Sequence, residues 1–262
     1  MKKLIFRLLI GLIVVIVLAA LALGLFLDRA LKTGIETVGP KLTQTDIKLE
    51  SVSLSLLSGA GKIKGLVVGN PKGFKTPSAI KVGTVSLTLA PRTLLSDKIV
   101  VKSIIVEGPE ITFETDLRAN NLSKIVANLQ AVTGGRGAET AKAQQPAQPQ
   151  EAKAGKTLEV DDFLITDGKV HVSVTALGGE ATTLSLPAIH LQNLGKDANG
   201  ITPAELAKRV LEEIANAATQ ASSGTVADIQ KGALYVTKEL KGGDTNVAEK
   251  VSKGLGNLFK KN

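Results

Sequence analysis

Residues 99–113 read IVVKSIIVEGPEITF. Ile104 and Val106, then Ile111 and Phe113, alternate with other residues, and Ile99 and Val101 do so ahead of them. Period 2 is the mark of a strand with one apolar face. The pattern fills residues 46–115. Val52, Leu54 and Leu56 alternate with serines, and Val85, Leu87 and Leu89 alternate with Ser86 and Thr88. Gly and Pro punctuate the runs at Ser58-Gly59, Gly69-Asn70-Pro71 and Gly108-Pro109. At least five strands are expected, each with an aliphatic face and a Ser/Thr/Lys face, as in a sheet covered on one side.

Strands resume at Leu158. Phe163/Ile165, Val170/Val172/Val174, Leu184/Leu186 and Ile189/Leu191 alternate, and Asp167-Gly168 and Gly178-Gly179 read as hairpin turns. Between the two blocks, 121–132 (NLSKIVANLQAV) has helical spacing, while 134–156 (GGRGAETAKAQQPAQPQEAKAGK) has no apolar period and reads as a disordered linker. Thr202-Pro203-Ala204-Glu205 opens a helix with an N-cap, a proline at the first position and an early acid. Val210, Leu211, Ile214, Ala217 and Ala218 form its stripe. Gly224 is expected to interrupt it, with a second helix over 226–240. The fold class is mainly β with helices, and 200–262 is a helical C-terminal region.

Ahead of the strands, Arg7 is followed by twenty uncharged residues, Leu8 to Leu27. At 1.5 Å per residue they would make a helix of roughly 30 Å, enough to cross a bilayer's hydrocarbon core. Lys2, Lys3 and Arg7 place the stub 1–7 in the cytoplasm and the bulk of the chain on the far side, which in a bacterium is the periplasm. A cleaved signal peptide is the competing reading, with Ala20-Leu21-Ala22 as its small-x-small site. The apolar residues that continue to Leu27 favour an uncleaved, single-pass anchor. Residues 28–39 (DRALKTGIETVG) read as a short helix after it.

Apolar residues make up 44% of the 262, but aromatics only 3%, with no Trp and one Tyr. Aliphatic surface of this kind is poor in the anchors of protein–protein hot spots. The absence of cysteine excludes disulfides and thiolate chemistry. The net charge of +8 suits an anionic membrane surface. Nucleic acid is not expected, since stacking aromatics are missing. In the tail, Val251, Lys253, Leu255, Leu258 and Phe259 belong to a basic amphipathic stretch that can lie on a membrane or pack on protein.

Catalytic signals are absent. His171 and His190 fall on the polar faces of strands, with no carboxylate at ligand spacing along the chain. Asp161-Asp162 and Asp167 flank the expected hairpin, where Asp serves conformation. Gly59-Ala60-Gly61-Lys62 lacks the phosphate-loop spacing. No enzyme, cofactor or metal site is expected.

Four stretches in order carry a resemblance: 49–57 (LESVSLSLL), 65–74 (GLVVGNPKGF), Val82 to Leu87 (VGTVSL), and the strand pair around Gly108-Pro109 read as a hairpin. With the N-terminal apolar run, the short helix and the Asn120-Asn121-Leu122 helix start, they resemble the AsmA family. Phe163 to Leu194 (FLITDGKVHVSV, then LSLPAIHLQNL) is similar to a second module of that family. The resemblance implies a module over 28–133, completed after the linker by 157–195. It also implies a curved, mostly antiparallel sheet with an apolar groove, related to bridge-like lipid-transfer proteins. Such proteins are tied to the bacterial inner membrane and to outer-membrane assembly.

On this reading Val52, Leu54, Leu56, Val85, Leu87, Leu89, Val101 and Ile111 face lipid. The partners are the inner membrane, phospholipid and other envelope proteins. Burying an acyl chain gains about 0.8 kcal/mol per CH₂ against water but almost nothing against a bilayer, so a groove would speed lipid movement rather than hold lipid. A different class of reading stays open: a membrane-anchored scaffold whose sheet is covered by its own helices and whose C-terminal helices bind a partner.

Overall fold

The computed structural model describes residues 24, 26–138, 156–175, 181–197 and 199–241. The first alternating block supplies β1 (Ile47–Lys48), β2 (Ser51–Leu54), β3 (Ala60–Val68), β4 (Ile80–Leu89), β5 (Lys98–Glu107) and β6 (Glu110–Thr115). The second supplies β7 (Thr157–Thr166), β8 (Lys169–Val174), β9 (Ala181–Ser185) and β10 (Ile189–Leu194). The helices are α1 (26–43), α2 (Asn121–Ala138) and α3 (Pro203–Lys241). All ten strands join one mixed sheet.

Short strands that follow one another along the chain continue one register across a single crease. Lys64 pairs with Thr84 and Leu66 with Val82, which sets Gly65 opposite Gly83. Lys81 pairs with Glu110 and Val85 with Val106, which sets Gly83 opposite Gly108. Glu107 pairs with Thr166 and Glu110 with Lys169, which sets Gly108 opposite Asp167. Continued outward, the row takes in Glu50 at one end and Pro187 at the other. Gly65, Gly108 and Asp167 have φ of +60°, +58° and +55°. That conformation suits glycine and is tolerated by aspartate.

The crease also shifts the alternation. Nearest the crease, the buried apolar residues of β4 are Ile80 and Val82 before it and Val85 after it; those of β5 and β6 are Ile104 and Val106, then Ile111 and Phe113. One residue is therefore extra to strict period 2 in each ribbon. The two halves nevertheless feed one contiguous core.

Two expected hairpins are thereby corrected. Gly108-Pro109 and Asp167-Gly168 are bends through which the chain runs on, so β5–β6 and β7–β8 lie side by side and parallel. The sheet is antiparallel elsewhere. Asp161 and Asp162 lie inside β7 rather than at a turn. α3 runs unbroken through Gly224. α2 continues to Ala138, into the expected linker. The rest of that linker, the Gly178-Gly179 turn and the tail residues Val251, Lys253, Leu255, Leu258 and Phe259 lie outside the described residues. So does the expected anchor 8–27, except for residues 24, 26 and 27. Among the described residues no helix is long and apolar enough to cross a membrane.

A buried polar network explains two of the sequence motifs together. Asn120 caps α2 by accepting from the Ser123 N–H at 2.8 Å. Asn121, fully buried, accepts from the Glu114 and Leu122 N–H groups and donates to Asn70 Oδ1 and the Thr112 carbonyl, both at 2.7 Å. The Glu114 carboxylate, 1% exposed, accepts from the Lys75 N–H, the Thr76 N–H and the Thr76 hydroxyl at 2.6–2.8 Å. The 69–79 loop is thus pinned to β6 and the start of α2.

Candidate functional site

One face of the sheet, on the β2 side of the crease, carries rows of aliphatic side chains. The row nearest the crease is Val52, Ile63, Val85, Val106, Ile165 and Ile189. The next is Leu54, Gly61, Leu87, Ile104, Phe163 and Leu191. Leu89, Val101, Val160 and Leu194 form a third.

Cover over these rows is uneven. Val101, Ile104, Val160, Phe163 and Leu194 are buried, in one cluster with Leu206, Val210 and Leu211 of α3. Over β2, β3 and β4, Leu54, Ile63, Leu87 and Leu89 are only half-buried. Gly61 lies at the centre of this strip. A Cβ there would stand 3.2 Å from Leu87 Cβ and 3.4 Å from Leu54 Cδ1, so both leucines lean over the glycine.

Six of the eight expected lipid-facing residues sit in these rows: Val52, Leu54, Val85, Leu87, Leu89 and Val101. Leu56 does not, because β2 ends at Leu54 and Leu56 lies exposed in the 55–59 turn. Ile111 is fully buried beyond the crease, paired with Ile80 and Val170. The structure adds Ile63 and Ile104, whose strands alternate too but carry Lys62, Lys64 and Ser103 between the apolar positions.

The edge next to the strip is closed by charge. Asp28 Oδ1 accepts from the Leu54 N–H at 2.8 Å, Lys32 Nζ donates to the Glu50 carbonyl at 3.0 Å, and Glu36 Oε1 accepts from the Leu49 N–H at 2.9 Å. These three residues recur every four positions, on one face of α1. They satisfy backbone groups that an edge strand would leave open to pairing.

The outer face is polar. Lys102 Nζ meets Asp161 Oδ2 at 2.8 Å, which raises the lysine pKa. His190 Nε2 lies 2.6 Å from Asp162 Oδ1, with Gln192 also donating to it; both hydrogen bonds hold the Asp162 carboxyl below its usual range. The His190 partner was invisible along the chain because strand pairing supplies it from β7. His171 Nδ1 lies 2.9 Å from the Thr183 hydroxyl. Among the described residues no three His, Asp or Glu side chains gather as a metal site.

A model of the AsmA family matches residues 1–197. The chain belongs to the AsmA family. The match takes in α1, α2 and every strand, and ends before α3 begins. AsmA membership associates the protein with the bacterial cell envelope. No curated protein and no solved structure matches the chain.

Proposed function

We propose that this AsmA-family protein is a non-enzymatic, inner-membrane-anchored protein that faces the periplasm and contacts or passes lipid acyl chains along its apolar sheet face. The observation that carries this is the half-covered strip of Leu54, Ile63, Leu87 and Leu89 around Gly61. A covered sheet would bury these side chains as completely as it buries Val160 and Phe163. An aliphatic strip without a polar group suits an acyl chain, which needs no hydrogen bond. To test it, the full chain in membranes is exposed to a phospholipid with a photoactivatable acyl chain. Adducts are expected on peptides spanning 52–64 and 82–89, and Leu87→Asp should abolish them while the circular dichroism stays unchanged. Labelling of the Leu87→Asp protein equal to that of the unaltered chain would refute the assignment.

The scaffold reading has one observation in its favour. An open cleft of about 730 Å³ lies between β10 and α3, lined by Ile189, His190 and Leu191 on one side and Glu213, Asn216 and Gln220 on the other. A photo-crosslinker at Gln220 that captures one defined protein in cells, with Leu87→Asp functionally silent, would make this the primary role.

A further inference from the structure

We propose that the end of the sheet beside the start of α1 dips into the bilayer surface through two turn tips, Leu57 and Leu95. The inference rests on the reading that residues 8–27 cross that bilayer. Among the described residues, six large apolar side chains are exposed, and four of them, Phe26, Leu56, Leu57 and Leu95, lie at this one end. Leu57 and Leu95 are 95% and 97% exposed. Single bare leucines are common on protein surfaces, but a cluster at one end marks a contact.

Hydrogen bonds fix the cluster's place. The Leu54 N–H held by Asp28 sets the start of α1, and Phe26 with it, against the end of β2. The 55–59 turn closes on itself through the Gly59 N–H to the Ser55 carbonyl at 2.8 Å. The same turn is tied to β4, because the Leu89 N–H donates to the Gly59 carbonyl at 2.8 Å. The turn after β4 carries Leu95 and is held by Lys156, whose Nζ donates to the Leu94 and Ser96 carbonyls. Leu57 and Leu95 are thus about two strand spacings apart, roughly 10 Å. These hydrogen bonds hold both turns in place.

The occupant follows from the neighbours. Phe26 is the last residue but one of the uncharged stretch Leu8 to Leu27, so the tips stand where the chain would leave the bilayer. Arg29, Arg92 and Lys156 ring them as exposed cations, with Asp97 as an exposed acid. Apolar tips within a mainly cationic rim fit a leaflet's acyl boundary beneath anionic headgroups. Leu54 and Leu89 lie directly inward of the two tips, so the half-covered strip would open at the lipid surface.

The chain has no cysteine, so single labels are clean. Leu57→Cys, Leu95→Cys, Lys72→Cys and Leu18→Cys, each carrying an environment-sensitive fluorophore, are placed as full-length protein in phosphatidylcholine–phosphatidylglycerol nanodiscs containing nitroxide-tagged lipid. The labels at 57 and 95 should shift to the blue and lose most of their emission, as should the label at 18, while the label at 72, an exposed position of the 69–79 loop, should stay bright. Bright labels at 57 and 95 with a quenched label at 18 would overturn the inference and keep the anchor. Bright labels at all three would overturn both. Disulfide capture of a second chain at 57 or 95, without lipid quenching, would overturn it in favour of a protein contact.

Discussion

Gly108 and Asp167 stand side by side in the crease at φ of +58° and +55°. A Cβ at Gly108 would meet nothing closer than 3.9 Å, so the cost of Gly108→Ala is conformational, about 1–2 kcal/mol. Gly83 shares the row without a positive φ, and nothing lies within 4 Å of its Cβ position, so Gly83→Ala should not destabilise. Urea unfolding of the two variants separates these outcomes. Glu114→Ala removes the acceptor for three donors of the 69–79 loop and should cost about 1–3 kcal/mol. Hydrogen exchange at the Lys75 and Thr76 amides should quicken with it. In the sequence Gly108-Pro109 and Asp167-Gly168 stand as punctuation and read as hairpins. Hairpin and bend call on the same left-handed residue, however, and pairing with the neighbouring strand decides between them. The role of Glu114 was not legible, because its partners lie 38 and 39 positions away.

The helix boundaries show what local rules reach. The expected N-cap of α3 is a reciprocal box: the Glu205 N–H donates to Thr202 Oγ1, and the Thr202 N–H donates to Glu205 Oε2 at 3.0 Å. These bonds from Thr202, backbone first and then hydroxyl, hold the Glu205 carboxyl below its ordinary 4.5. A depressed folded pKa means stability that is present above 4.5 and lost as pH falls through the folded value. Glu205→Gln should therefore weaken the protein at neutral pH, and its difference from the unaltered chain should shrink in acid. The break expected at Gly224 did not occur, because the stripe through Ala217, Ala218, Ala221 and Val226 packs on the core. With open space at its Cβ position, Gly224→Ala should raise stability by about 1 kcal/mol in the same unfolding measurement. Nothing in the sequence of α1 marked Asp28, Lys32 and Glu36 as caps for a strand edge, since their partners belong to β2 and the residues just before it.

Across the molecule, cover on the apolar face thins from β7 towards β2. The alternation in the sequence named that face but not its exposure: Val101 and Leu89 read alike, yet Val101 is buried and Leu89 only half-buried. That gradient gives the protein a closed core and an aliphatic strip in one sheet, with the strip running to the end where Leu57 and Leu95 stand bare. On the function proposed above, lipid occupies the strip. Leu87 and Ser86 are chain neighbours on opposite faces of β4, so they make an internal control. A photoreactive amino acid is placed at each position in turn, in full-length protein in its own membrane, and adducts are read by mass spectrometry. Phospholipid adducts at 87 and none at 86 are the expected result. Equal adducts at both positions, or adducts at neither beside a normally folded protein, would contradict the account.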